Sequence, residues 1–442
     1  MQVRIGSSDW LRRVSRAQKY WSQGAVCCHS ATLESGIRMA KTALVLYHYL
    51  YPDEVVSSVI FTQLCTGLTE RGWKVVGSSG NRGSKDEGGS YPLRSCSLGV
   101  DFRRIWRPAL QQSSGFGRIA NAAWMVMAWS GMALNPTIRP DVLIIGTDPI
   151  LSVLVALVWR RLRPKVHIVH WCFDLYPEAA IAAGLLDETS PFVTVLKKIL
   201  AKSYGNCDLV VDIGECMRKR LSTYGLSAGT QTITPWALVE PLEPTPIDSG
   251  ERKALFGNAI LALLYSGSFG RAHSFSGILE LAKALAPGGK VVFSAHGNSL
   301  GELRNAIRDS GAPIEFAPLA PIQLLEKRLS AADVHIVSLR AEWTGTVVPS
   351  KFFGALAIGR PVLFVGSRES AVARWIEELE VGWILDEHNV DWVKTQLLAF
   401  SQNEEAKANL FRHCRVTYNR NFSREYGLNR WSEALQRLNK GY

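Results

Sequence analysis

From Met39 onward, short unbroken apolar runs alternate with longer stretches whose apolar positions recur every three or four residues. The short runs Thr42–Tyr47, Trp73–Val76, Val142–Ile145, Val166–His170 and Asp208–Asp212 predict β-strands. Their Val, Ile and Leu do not alternate with polar residues, so both faces should be covered and the sheet parallel. The stretches Ser57–Arg71, Ile150–Arg161 and Pro191–Tyr204 predict helices between them. Strand–helix alternation implies right-handed crossovers and a doubly wound domain.

The pattern stops at residues 235–250, where Pro235, Pro241, Pro244 and Pro246 mix with Glu240, Glu243 and Asp248, a linker composition. It then resumes, with strands predicted at Ile260–Ser266, Val291–Ala295, Ile314–Phe316, Val334–Ser338 and Pro361–Val365. Helices are predicted at Gly277–Ala286, Leu300–Ser310, Gln323–Ser330, Phe352–Ile358 and Ser370–Leu379. The chain therefore reads as an α/β protein of two Rossmann-like, doubly wound halves facing across a cleft, one over 39–240 and one over 241–420. Ligands in such sheets bind beyond the carboxyl ends of the strands. The stretch Glu404–Leu438 is helical in period, with no strand after it.

Composition narrows this picture. The 442 residues are 47% hydrophobic and 20% charged, which excludes a disordered or fibrous chain. Lys and Arg number 50 against 39 Asp and Glu, and this +11 balance favours anionic partners: phosphates, nucleic acid or a membrane surface. No nucleic-acid module is recognisable, so that partner is not expected. The eight cysteines are scattered without a Cys-x-x-Cys pair, so neither a disulfide framework nor a metal site is expected. The implied compartment is cytoplasmic, or the cytoplasmic face of an inner membrane. Residues 1–38 are basic and lack the apolar core of a secretory signal. They read as an extension outside the fold, disordered or reached from a start placed too early.

Residues 119–138 carry no charge and include Trp124, Met125, Met127, Trp129 and Met132. Asn121, Ser130, Gly131, Asn135 and Pro136 interrupt the stretch, which argues against a span. Two readings stay open: a helix covering the sheet, or a peripheral membrane face flanked by cations such as Arg103, Arg118, Arg139 and Lys165.

Candidate chemistry gathers at predicted strand ends. Tyr265-Ser-Gly267-Ser268-Phe-Gly270-Arg271-Ala-His273 follows the first strand of the second half, where glycines let backbone N–H groups approach an anion and Arg271 adds a phosphate-matching fork. A tight turn with a surface Arg is the plainer alternative. Val348-Pro-Ser350-Lys351-Phe-Phe-Gly354, ending at Gly359-Arg-Pro-Val362, places Ser350 and Lys351 at a helix start on the same sheet edge. In the first half, His170-Trp-Cys-Phe-Asp174-Leu-Tyr-Pro-Glu178 offers Asp174 and Glu178 to orient an acceptor hydroxyl, or simply to cap a helix. His48 and Asp148 lie on the facing loops.

Taken in order, Tyr51-Pro-Asp53, Gly146-Thr-Asp-Pro149, Asp174-Leu-Tyr-Pro-Glu-Ala179, Pro235-Trp-Ala237, Tyr265-Ser-Gly267, Val348-Pro-Ser-Lys351 and Gly359-Arg-Pro-Val362 resemble a family 4 (group 1) glycosyltransferase of the GT-B fold. Within that family the chain is most similar to bacterial surface-polysaccharide enzymes that include fucosamine transferases, from about Lys41 to the C-terminus. The resemblance implies a nucleoside diphosphate sugar, UDP-linked, held by the second half. A glycan or polyprenyl-linked acceptor would be held by the first, and transfer would retain configuration with no metal or other cofactor. It implies that Arg271 and Lys351 contact the diphosphate and act in catalysis with Asp174. Gly267, Ser268, Gly270, His273, Glu342, Ser350 and Gly354 would surround the nucleotide sugar, and His48, Asp148 and Glu178 the acceptor. It also implies that residues 421–442 form a helix returning to the first domain.

The sequence departs from the family at Thr346 and Gly354, where a pair of glutamates is expected, and at Val55-Val-Ser-Ser58 in place of a Gly-Gly loop. Glu342 is a candidate substitute for the ribose-binding carboxylate. The lost glutamates leave two alternatives to a transferase: a catalytically degenerate scaffold, and an enzyme resembling the UDP-sugar 2-epimerases.

Overall fold

A computed structural model describes residues 40–85 and 89–440; the expectation for residues 1–38 falls outside them. The first sheet contains β1 (Thr42–Leu46), β2 (Lys74–Ser78), β3 (Arg94–Ser97), β4 (Val100–Arg103), β5 (Val142–Gly146), β6 (His167–Trp171), β7 (Leu209–Asp212) and β8 (Gly229–Thr232). Their spatial order is β3-β4-β2-β1-β5-β6-β7-β8, parallel except for the β3–β4 hairpin. β5 is buried along its whole length and β1 at all but its first residue, as their unalternated Val, Ile and Leu require. The helices are α1 (Val56–Glu70), α2 (Gly115–Met132), α3 (Val155–Leu162), α4 (Glu178–Ala182), α5 (Pro191–Tyr204) and α6 (Glu215–Ser222). From β1 the sheet grows in two directions, so right-handed crossovers put α1 on one face and α2, α3 and α5 side by side on the other.

The second sheet contains β9 (Leu261–Ser268), β10 (Gly289–His296), β11 (Ile314–Ala317), β12 (Val334–Ser338), β13 (Val362–Val365) and β14 (Gly382–Leu385), in the order β11-β10-β9-β12-β13-β14 and parallel throughout. Its helices are α7 (Ser249–Phe256), α8 (Ser276–Leu285), α9 (Leu300–Ser310), α10 (Leu325–Ser330), α11 (Lys351–Ala357), α12 (Ala371–Leu379), α13 (Val390–Gln402), α14 (Glu404–Asn421) and α15 (Arg424–Lys440). The long C-terminal stretch is thus two helices, broken at Phe422 and Ser423.

α15 packs on the first half. Leu428 fills the space beside Gly67, Trp431 meets Trp171 edge-on at 5.0 Å, and Arg71 donates to Glu425 at 2.6 Å and Asn429 at 3.0 Å. One buried apolar cluster runs from β1 and β5 of the first half to Phe352, Phe353 and Phe422 of the second. The Gly-Arg-Pro-Val motif is part of this framework. The buried Arg360 guanidinium donates to the carbonyls of Thr245, Ser330, Ala332 and Ile358, which ties the linker to the second sheet.

Candidate active site

β9 carries Tyr265 to Ser268 to the carboxyl edge of the second sheet, and α11 brings Lys351 over it. Gly267 has φ +118°, and a β-carbon there would lie 3.2 Å from Lys351 Cε. Only glycine takes that backbone conformation without strain while letting the lysine pass so close. The Lys351 ammonium lies 5.0 Å from the centre of the Tyr265 ring, within cation–π range. Burial holds its pKa down to about 8, and no carboxylate pairs with it among the described residues. His273 stands close enough to feel that charge. Burial first, and Lys351 second, hold its pKa down to about 4. Its Nδ1 is 2.8 Å from the Ser338 carbonyl, so Nδ1 carries the proton of the neutral ring and Nε2 is left as an acceptor.

The loop from Gly267 to His273 is braced from two sides. Phe269 N–H donates to the His296 carbonyl at 2.6 Å, and Gly297, at φ +137°, lies so close to Phe269 that a β-carbon would be 2.2 Å from its carbonyl oxygen. Arg340 closes the other side, donating from Nε to the His273 carbonyl at 3.0 Å and from its backbone N–H to Ala272 at 2.8 Å.

Facing this edge is the loop after β6. Asp174 forms an antiparallel bridge with Val347, and Leu175 N–H donates to the Thr346 carbonyl at 3.0 Å, so the two halves touch four residues before Lys351. Asp174 keeps an accessible surface but is ringed by protein. That enclosure, and then the charge of Asp148, raise its pKa to about 6. His48 is buried, with Nδ1 3.2 Å from Asp148 Oδ1; its Nε2 is enclosed and has no hydrogen-bond partner. The pKa of Tyr176 is pushed up to about 12 by burial first, then by the charges of Asp174 and Asp148, with Arg118 of α2 opposing them.

No family model matches the chain. A curated relative, the probable glycosyltransferase WbjE of Pseudomonas aeruginosa, is 27% identical over 259 residues, 55% of this chain; the match spans only 62% of that relative's length. Among solved structures, sucrose-phosphate synthase from Thermosynechococcus elongatus superposes with a TM-score of 0.67 at 14% identity, covering 90% of this chain and 99% of that one. HepE of Anabaena, in complex with UDP and glucose, gives 0.61 at 12% identity, covering 89% and 99%. The fold is GT-B.

In this GT-B chain the remaining expected site residues are placed less closely. Arg271 is exposed and makes no hydrogen bond or ion pair among the described residues. Ser268, Glu342 and Ser350 are exposed as well, and Ser350 makes no capping hydrogen bond to α11. Gly270 faces Asn298 Oδ1, and Gly354 has open space around it, a β-carbon meeting only Leu329 at 4.0 Å. Glu178 does not face the acceptor side. Its carboxylate is buried and accepts from the Tyr224 hydroxyl at 2.6 Å, which makes it a packing group inside the first half.

Position 346 explains one departure from the family pattern. Thr346 is fully buried in the seam between the halves, where a carboxylate would lose its water. Sequence reasoning missed Arg340, whose signal was only an arginine just past a buried strand. Among the described residues no three His, Cys, Asp or Glu side chains gather as a metal site, and no helix is long and apolar enough to cross a membrane. A cavity of about 380 Å³ lined by Trp383, Trp392 and Arg368 lies at the β14 edge, and none of its lining residues belongs to this site.

Proposed function

We propose that this chain is a glycosyltransferase that moves a sugar from a nucleoside diphosphate sugar, UDP-linked, to a glycan or lipid-linked acceptor in surface-polysaccharide synthesis. The observation that carries this reading is Lys351: a partly dehydrated ammonium beside a glycine-opened backbone, facing an aromatic ring and no carboxylate. A cation kept in that state is stabilised when an anion arrives, and a diphosphate supplies one. The name of the Pseudomonas relative supports transfer, and UDP with glucose in a neighbour of the same fold supports the donor class.

In the proposed reaction the bond from the sugar's anomeric carbon to the diphosphate oxygen breaks, and the charge that develops on the leaving group falls to Lys351, with Arg271 swinging in from solvent. The acceptor oxygen forms the new bond on the same face of the sugar, and its proton passes to Asp174 or to a departing phosphate oxygen. With a pKa of about 6, Asp174 is ionised at neutral pH and able to accept it. No metal is required, because side-chain cations take the charge. Glu342 remains the proposed ribose partner, and His48 with Asp148 the acceptor-side pair.

The acceptor side supports a lipid-borne substrate. Phe116, Ile119 and Met127 of α2 and Phe192, Val195 and Ile199 of α5 are all exposed, with Phe116 at 79%. Exposed Arg118, Arg161, Lys165 and Lys198 lie around them. An apolar face ringed by cations suits an anionic bilayer, and the charge of Arg118 is felt at Tyr176, on the Asp174 loop. The α2 stretch therefore divides between both readings: Met125 and Trp129 are buried against the sheet while its other side remains open.

The test is UDP release from a UDP-sugar, with and without acceptor. Release that depends strictly on acceptor supports transfer. Release without acceptor points to the hydrolysing epimerase class, and no UDP-sugar binding at all to a scaffold.

A further inference from the structure

On the far edge of the first sheet, a cavity of about 290 Å³ opens between β7, β8, α6 and α15. Arg218, Arg430 and Arg437 line it with Thr230, Gln231 and Thr232, and no carboxylate does. Two of its nitrogens, Arg430 Nε and Gln231 Nε2, are enclosed and make no hydrogen bond. Buried polar groups are nearly always paired, and leaving one unpaired is unfavourable. Arg218 is held in place by Asp212 at 3.2 Å, and Arg437 has Glu433 behind it at 3.8 Å. Arg218 also donates to the Thr232 hydroxyl, so the donors left without an acceptor are Arg430 Nε and Gln231 Nε2, in a cavity whose lining carries three cations and no carboxylate.

We propose that this pocket binds a soluble phosphate-class oxyanion, at a site separate from the one around Lys351. A di- or polyphosphate satisfies the arginine forks and accepts from the enclosed Gln231 Nε2. The ligand comes from solution and not from a bilayer, because α15, which walls the pocket, contacts α1, on the sheet face opposite α2, α3 and α5. A membrane lying on Phe116 and Phe192 does not reach it. The inference stands whether or not the transferase reading holds.

The experiment is calorimetric titration of inorganic pyrophosphate into the full chain carrying Lys351→Ala, which disables the other proposed phosphate site. Saturable binding is expected, weakened at least tenfold by Arg430→Gln with Arg437→Gln. Thr230→Glu, which sets a carboxylate at the exposed rim and leaves every arginine in place, should weaken it equally, with an unchanged circular dichroism spectrum. No binding in the Lys351→Ala protein, or binding that neither variant alters, overturns the proposal. So does loss of binding to phosphatidylglycerol vesicles in Thr230→Glu, which would make the lipid the source of the phosphate.

Discussion

Lys351 holds its ammonium 5.0 Å from the centre of the Tyr265 ring, directly over the backbone of Gly267. Burial has already removed part of its water, so the free protein resists charging it, and its pKa sits near 8. A bound diphosphate reverses that preference. UDP affinity should therefore fall as pH rises past about 8, with proton uptake on binding at pH 8.5, measured by titration in buffers of different ionisation enthalpy. The free protein has the opposite dependence. A depressed lysine stabilises the fold above its unfolded pKa, and that contribution is lost as pH falls through about 8.

Gly267→Ala tests the same contact without touching charge. Its β-carbon would meet Lys351 Cε at 3.2 Å on a backbone of φ +118°. Donor binding should weaken by about tenfold or more, the equivalent of about 1.4 kcal/mol, while the apo melting temperature changes by only a few degrees.

Asp174 sets the acid limb. With its pKa raised to about 6, transfer should fall as pH drops through 6, and Asp174→Asn should cost about 10²-fold or more at pH 7 and remove that limb. Its linkage to stability has the opposite sign. The fold's preference for the protonated form is fully expressed below the unfolded pKa and is lost as pH rises through about 6.

Arg360 should matter for folding and not for chemistry. Replacing it with Ala leaves four backbone carbonyls without their buried donor. The expected loss is at least about 3 kcal/mol in urea denaturation.

Phe116→Ser with Phe192→Ser should reduce partition onto anionic vesicles without changing UDP binding. High salt should release the wild-type chain from those vesicles, because the surrounding cations contribute about 1 kcal/mol each.

The architecture was legible because buried parallel strands need continuous apolar runs, and each predicted strand lies within a few residues of an observed one. The β3–β4 hairpin was not, because Ser and Arg dominate β3 and the turn places Leu98 at φ +56°, where sequence rules look for Asn or Gly. β8 and β14 are short edge strands of mixed composition, which carry no period to read. The convergence of the Gly267 loop with Lys351 was visible in the motifs. The burial of Glu178 was not, because its partner Tyr224 lies 46 residues away and nothing local distinguishes a packed carboxylate from a working one. Arg271 shows the converse: sequence fixes its loop, and only the fold reveals that its side chain is left to solvent.

The most direct test is calorimetric titration of UDP into the wild-type chain and into Lys351→Ala at pH 7. The account predicts saturable binding in the first and a loss of about tenfold to a hundredfold in the second, the range expected for one charge-assisted contact. Equal affinity in the two proteins would contradict it.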